Sequence, residues 1–101
     1  MRIRIISAVL FAVHLAGQCG TKLLPRDIRT FAANAEACEH LGGEYDGDLP
    51  GKQKRDIERD IRKYCGAASR QLPVLRKKYR HDPSLLEAIA RHANDAVADY
   101  R

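Results

Sequence analysis

The sequence lacks the short motifs by which small enzymes and nucleotide-binding proteins are usually recognised. It has no glycine-rich phosphate loop, no His-Glu-x-x-His pair and no Cys-x-x-Cys turn. Those patterns fix phosphate-binding amides, a zinc site or a reactive dithiol at short spacing. Beyond residue 20 there is also no apolar run of the ~20 residues that a membrane-spanning helix needs. We therefore expect no enzyme activity, no cofactor or metal, and no transmembrane span in this part of the chain.

A large charge excess is also missing. The 101 residues contain 18 lysines and arginines against 13 carboxylates, and two of the arginines, Arg2 and Arg4, lie at the N-terminus. Without these two the chain has 16 cations and a net charge of +3, which is too small to indicate nucleic-acid binding. The length allows one domain.

The N-terminal segment has the layout of a secretory signal peptide. Basic residues come first, an apolar run follows over residues 5–16, and small residues come next. A buried core helix would show a polar face, and this run shows none. We expect a signal peptide over residues 1–20 and a single small helical domain over residues 21–101, located in the periplasm or secreted.

Cys19 follows this run, and the sequence leaves open whether it is lipidated or is removed with the signal peptide. The segment resembles a bacterial lipoprotein signal, in which Leu-Ala-Gly directly precedes the modified cysteine, but here Gln18 separates Gly17 from Cys19. We therefore favour a protein that is not lipidated. Cleavage after Cys19 leaves two cysteines, Cys38 and Cys65.

Helical periodicity and breaker residues divide the rest of the chain. A stripe at spacings of three and four residues predicts a first helix that buries Cys38 and ends at Gly42-Gly43: Ile28, Phe31, Ala35 and Cys38. A loop over residues 42–51 and a charged helix over residues 52–64 follow, with Gly66 as a break.

Two further segments complete the domain. Ala68, Leu72, Leu75 and Tyr79 continue the helical stripe, and Pro73 kinks that helix or starts a new one. Asp82 is a good N-cap for a last helix, whose apolar face contains Leu86, Ile89 or Ala90, Ala93 and Val97. The fold class is all-α, with a signal-peptide helix followed by three or four short helices.

Cys38 and Cys65 are expected to form a disulfide, because the exported chain folds in an oxidising compartment. In a tight antiparallel hairpin these two residues would lie about 20 Å apart. The long glycine-rich loop must therefore carry the second helix back across the first.

The competing interpretation places a zinc or copper ion on Cys38, His40, Glu44 and Cys65, since thiolate and imidazole suit these ions. Against it, a Cys-x-His spacing directs the two side chains about 200° apart around a helix. A metal-handling protein using His40 and Cys38 stays an alternative.

The densest cationic run is Arg76, Lys77, Lys78, Tyr79 and Arg80. Positive charge complements the dipole at a helix C-terminus, and we favour that structural role. The alternative is a docking site for an anionic envelope surface.

Three groups of residues carry a resemblance: Cys38-Glu39-His40 with Gly43-Glu44, then Tyr64-Cys65-Gly66, then residues 75–79 ahead of Asp82-Pro83. Over residues 31–100 the chain resembles short exported bacterial helical proteins of unassigned function. The resemblance implies export and a small helical body with paired cysteines, and no catalytic residue. We expect a periplasmic module that binds, inhibits or protects another envelope or secreted protein.

Overall fold

The computed structural model describes residues 23–101, so the predicted signal peptide and Cys19 lie outside the described residues. Within this range the secondary structure consists of helices: α1 (Arg26–Glu44), α2 (Gly51–Lys78), α3 (Pro83–His92) and α4 (Asp95–Asp99). A disulfide joins Cys38 to Cys65. The predicted all-α fold with one disulfide is confirmed.

Helices α1 and α2 form an antiparallel pair. Three contacts set their register, since Cys38 is bonded to Cys65, Asn34 donates to Gln71, and Asp27 accepts from Lys78. The predicted stripe of α1 is buried, and it packs with α2 residues in one core: Ile28, Phe31, Ala35, Cys38, Cys65, Ala68, Leu72 and Leu75. The spacing of apolar residues on α1 therefore identified its buried face correctly.

The helix ends predicted at Gly42-Gly43 and Gly66, and the kink or helix start predicted at Pro73, were wrong. Helix α1 continues through Gly42-Gly43 to Glu44, the loop is confined to residues 45–50, and α2 runs without interruption past Gly66 and Pro73. None of the glycines described has a positive φ, so Gly42, Gly43 and Gly66 adopt the helical backbone that any residue could adopt. Buried Leu72 and Leu75 hold α2 against the core on both sides of Pro73, whose ring is exposed.

The disulfide fits an offset hairpin instead of the predicted crossing helices. Cys38 lies six residues before the end of α1, whereas Cys65 lies fourteen residues after the start of α2. At ~1.5 Å per residue, α2 begins about 12 Å beyond the end of α1. The six-residue loop covers this distance, since an extended chain spans about 3.3 Å per residue.

Helices α3 and α4 close the core from one side. As predicted, Asp82 caps α3 by accepting a hydrogen bond from the Leu85 backbone N–H, and Pro83 is its first residue. The prediction of a single last helix was wrong, because the helix is interrupted at Asn94 and continues as the separate helix α4. The side chain of Asn94 caps α4 by accepting from the Val97 N–H, and it donates to the Ala35 carbonyl of α1 over 2.9 Å.

No helix within residues 23–101 combines the length and the apolar character needed to cross a bilayer.

Candidate functional site

The disulfide occupies the centre of the α1–α2 interface. The Cα atoms of Cys38 and Cys65 lie 4.7 Å apart, and the two residues are 0% and 3% exposed. Neither sulfur is a thiolate, so neither can act as a nucleophile or as a metal ligand in this state. The pair contributes stability and gives no reactive group.

His40 and Glu44 lie on the exposed side of the same helix. The His40 Nε2 is 3.5 Å from a carboxylate oxygen of Glu44, and their side chains are 73% and 53% exposed. Within the described part of the chain, no three His, Cys, Asp or Glu side chains are grouped so that they could hold a metal ion. The metal-handling alternative therefore loses its sulfur ligand, Cys38, to the disulfide.

Charge is distributed unevenly along α2. Its first ten residues contain four cations and three carboxylates, and Asp56 accepts from both Lys52 and Arg59. The Lys52 ammonium, with Arg59 nearby, lowers the pKa of Asp56. This part of the helix is largely self-neutralised.

Residues 61–81, hereafter the basic segment, contain no carboxylate. They contain seven lysines and arginines: Arg62, Lys63, Arg70, Arg76, Lys77, Lys78 and Arg80. Among residues 23–101, only Lys78 of these seven takes part in an ion pair. As predicted, the run that begins at Arg76 forms the last turn of a helix. Six cations of the basic segment are left without a carboxylate partner in the folded domain.

The one ion pair of the basic segment attaches it to the start of α1. Asp27 accepts from Lys78 Nζ at 2.7 Å and from the Tyr79 hydroxyl at 2.8 Å. The hydrogen bond from Lys78 lowers the pKa of Asp27, and the same bond raises the pKa of Lys78. Partial burial, together with the hydrogen bond to Asp27, raises the pKa of Tyr79.

An open groove of about 520 Å³ lies beside this cluster. It is lined by both helices: Pro25, Arg26, Asp27, Thr30, Gln71, Lys78 and Tyr79. The groove is open to solvent. It extends the cationic surface of α2 to Arg26 on α1.

Sequence reasoning missed two features of this region. Asp27 was not singled out, because its partner Lys78 is 51 residues away in the chain. Val74 is 64% exposed, although valine usually packs inside. In the sequence, the position of Val74 outside the buried stripe of Ala68, Leu72 and Leu75 was the signal that could have predicted its exposure.

Comparison of the chain with known protein families, with curated proteins and with solved structures finds no match in any of the three.

Proposed function

We propose that this protein is an exported, non-catalytic binding module that docks through its basic segment onto a negatively charged component of the cell envelope. The observation that carries the proposal is the group of six cations with no carboxylate partner, five of them on α2 and Arg80 in the turn that follows it. Side-chain charges that have no partner within the domain are available to a partner outside it.

Export is supported by the signal-like N-terminus and by the disulfide, since structural disulfides form and persist in oxidising compartments. A binding role without catalysis is supported by the chemistry of the two cysteines. Their sulfurs are bonded to each other inside the core, and the groove beside Asp27 is open. The periplasm is the compartment we propose for a bacterial protein of this kind.

Fractionation of cells tests export and docking together. We compare the unchanged protein with R70Q/K77Q, which removes two exposed cations of the basic segment, and with the charge-matched control K54Q/R55Q. None of these four side chains forms an ion pair among the described residues.

The unchanged protein and K54Q/R55Q should be recovered with washed envelopes at low salt, and R70Q/K77Q should move to the soluble exported fraction. Recovery of all three in the cytoplasm would remove the export claim. The same distribution for both double variants would remove the role of the basic segment.

A further inference from the structure

One face of α2 combines positive charge with exposed hydrocarbon. Lys63, Arg70 and Lys77 recur every seven residues, close to two helical turns, so their side chains follow one line along the helix. This line is about 21 Å long at ~1.5 Å per residue. All three residues are exposed. We call this surface the outer face, and it also contains Pro73 and Val74.

Val74 lies in the middle of the cations. Its helical neighbours at positions i−4, i+3 and i+4 are Arg70, Lys77 and Lys78. Lys78 is held by Asp27, whereas Arg70 and Lys77 have no ion pair within residues 23–101. The valine side chain is 64% exposed, and Pro73 beside it is also exposed.

A second exposed aliphatic residue lies near the same end of the domain. Leu23 is 84% exposed and precedes Pro25, which lines the groove together with Lys78. The third large hydrophobic residue exposed within residues 23–101 is Tyr45, in the loop at the opposite end of the α1–α2 pair. Exposed aliphatic carbon and unpaired positive charge therefore coincide at one end.

We infer that the outer face of α2 lies on an anionic lipid surface, with Val74 at the boundary between head groups and acyl chains. In this arrangement Arg70 and Lys77 reach the head-group phosphates, because long cationic side chains extend from apolar surface toward charge. This inference rests on the proposed function and names its partner as lipid.

The hydrocarbon on this face is what favours lipid over other anions. A nucleic-acid backbone or a row of carboxylates attracts the cations but presents water-covered charge to Val74. A bilayer suits both the cations and Val74, since it supplies phosphates at the surface and hydrocarbon a few ångströms below.

Tryptophan fluorescence tests the position of Val74 directly. The chain contains no tryptophan, so V74W and Y45W each introduce a single tryptophan, which can be excited selectively, the second at the opposite end as a control. All variants are purified from the exported fraction, so any N-terminal residues that remain are the same in each. The emission of V74W should shift to shorter wavelength on vesicles that contain phosphatidylglycerol and stay unchanged on pure phosphatidylcholine. The emission of Y45W should shift less.

Charge variants test the role of the cations. At ~1 kcal/mol per cation near an anionic surface, R70Q/K77Q should lower the partition onto phosphatidylglycerol vesicles by about 30-fold. The control K54Q/R55Q carries the same net charge in the part of α2 that contains carboxylates, and it should change the partition much less. Added salt should release the unchanged protein.

Several results would overturn the inference. They are an unshifted V74W spectrum on phosphatidylglycerol, an equal shift for Y45W, or equal losses for the two double variants. Binding to polyglutamate or DNA without binding to vesicles would reject lipid as the partner and leave the proposed function standing. Failure to bind vesicles, polyglutamate and isolated envelopes would remove both.

Discussion

Replacing Gly66 with alanine should stabilise the protein. Gly66 lies in the interior of α2, with a backbone that any L-residue adopts. Glycine in a helix interior is less favourable than alanine by about 0.8–1.0 kcal/mol, because it loses more backbone freedom on folding.

The surroundings of Gly66 have room for a methyl group. An added Cβ would lie 3.2 Å from the Arg70 guanidinium, which is the far end of a flexible exposed side chain. Its next neighbours are a ring carbon and the hydroxyl oxygen of Tyr100, both at 3.9 Å, an ordinary packing distance. Since Arg70 can move at little cost, we expect G66A to raise the free energy of unfolding by about 1 kcal/mol.

Urea unfolding followed by far-ultraviolet circular dichroism measures this change, and in thermal unfolding it corresponds to an increase in Tm of about 4–8 °C. The sequence alone predicted a break at Gly66. If the chain did turn there with a positive φ, alanine would instead be strained and would destabilise the domain. A loss of stability in G66A would therefore refute the continuous helix.

Three further predictions concern the core and its attachments. Reduction of the disulfide, which closes 27 residues, should cost about 3.5 kcal/mol in the chain-entropy model; an unchanged urea midpoint in reductant would contradict this. N94A loses the cap of α4 and the hydrogen bond to the Ala35 carbonyl, so it should lower the free energy of unfolding, measured in urea, by about 2 kcal/mol. The control N34A loses a single partly buried hydrogen bond to Gln71 and should lower it by about 1 kcal/mol or less. The pKa of Asp27 in the folded protein lies below its ordinary 3.8, so its stabilising contribution is present above pH 3.8 and is lost as the pH falls through the folded pKa. D27N should therefore lower the Tm at neutral pH and reduce the loss of stability in acid. An unaltered dependence of Tm on pH would show that the contacts of Asp27 do not contribute.

The buried face and the disulfide could be predicted from the sequence because each depends on a strong general rule. The period of α1 identified Ile28, Phe31, Ala35 and Cys38 as buried, and the expected compartment paired the two cysteines. The cap at Asp82 was also correct, because its signal is local.

The helix ends failed because local preferences were overridden by packing. Glycine and proline signals predicted ends at Gly42 and Gly66 and a kink or helix start at Pro73. Buried Cys65, Leu72 and Leu75 hold α2 helical past Gly66 and Pro73, whereas Gly42 is exposed and α1 ends two residues beyond it. At Asn94 the signal was present, since asparagine is a strong N-cap, but the continuing spacing of Ala93 and Val97 suggested an unbroken helix.

The candidate site was predicted only in part. The run from Arg76 to Arg80 was recognised as cationic, but its attachment to Asp27 depends on two segments that are distant in sequence. Its extension back along α2 to Lys63 follows from the continuous helix, which the sequence did not predict. The exposed Val74 among cations could have been found by checking positions i−4, i+3 and i+4.

The central claim is that the unpaired cations of the basic segment dock the protein onto negative charge in the envelope. Its most direct test is the salt dependence of binding to isolated envelopes for the unchanged protein, R70Q/K77Q and K54Q/R55Q. We predict a steep loss of affinity with salt for the unchanged protein and for K54Q/R55Q, and weaker binding with a shallower salt dependence for R70Q/K77Q, which keeps four of the six unpaired cations. Equal salt dependence for all three would contradict it.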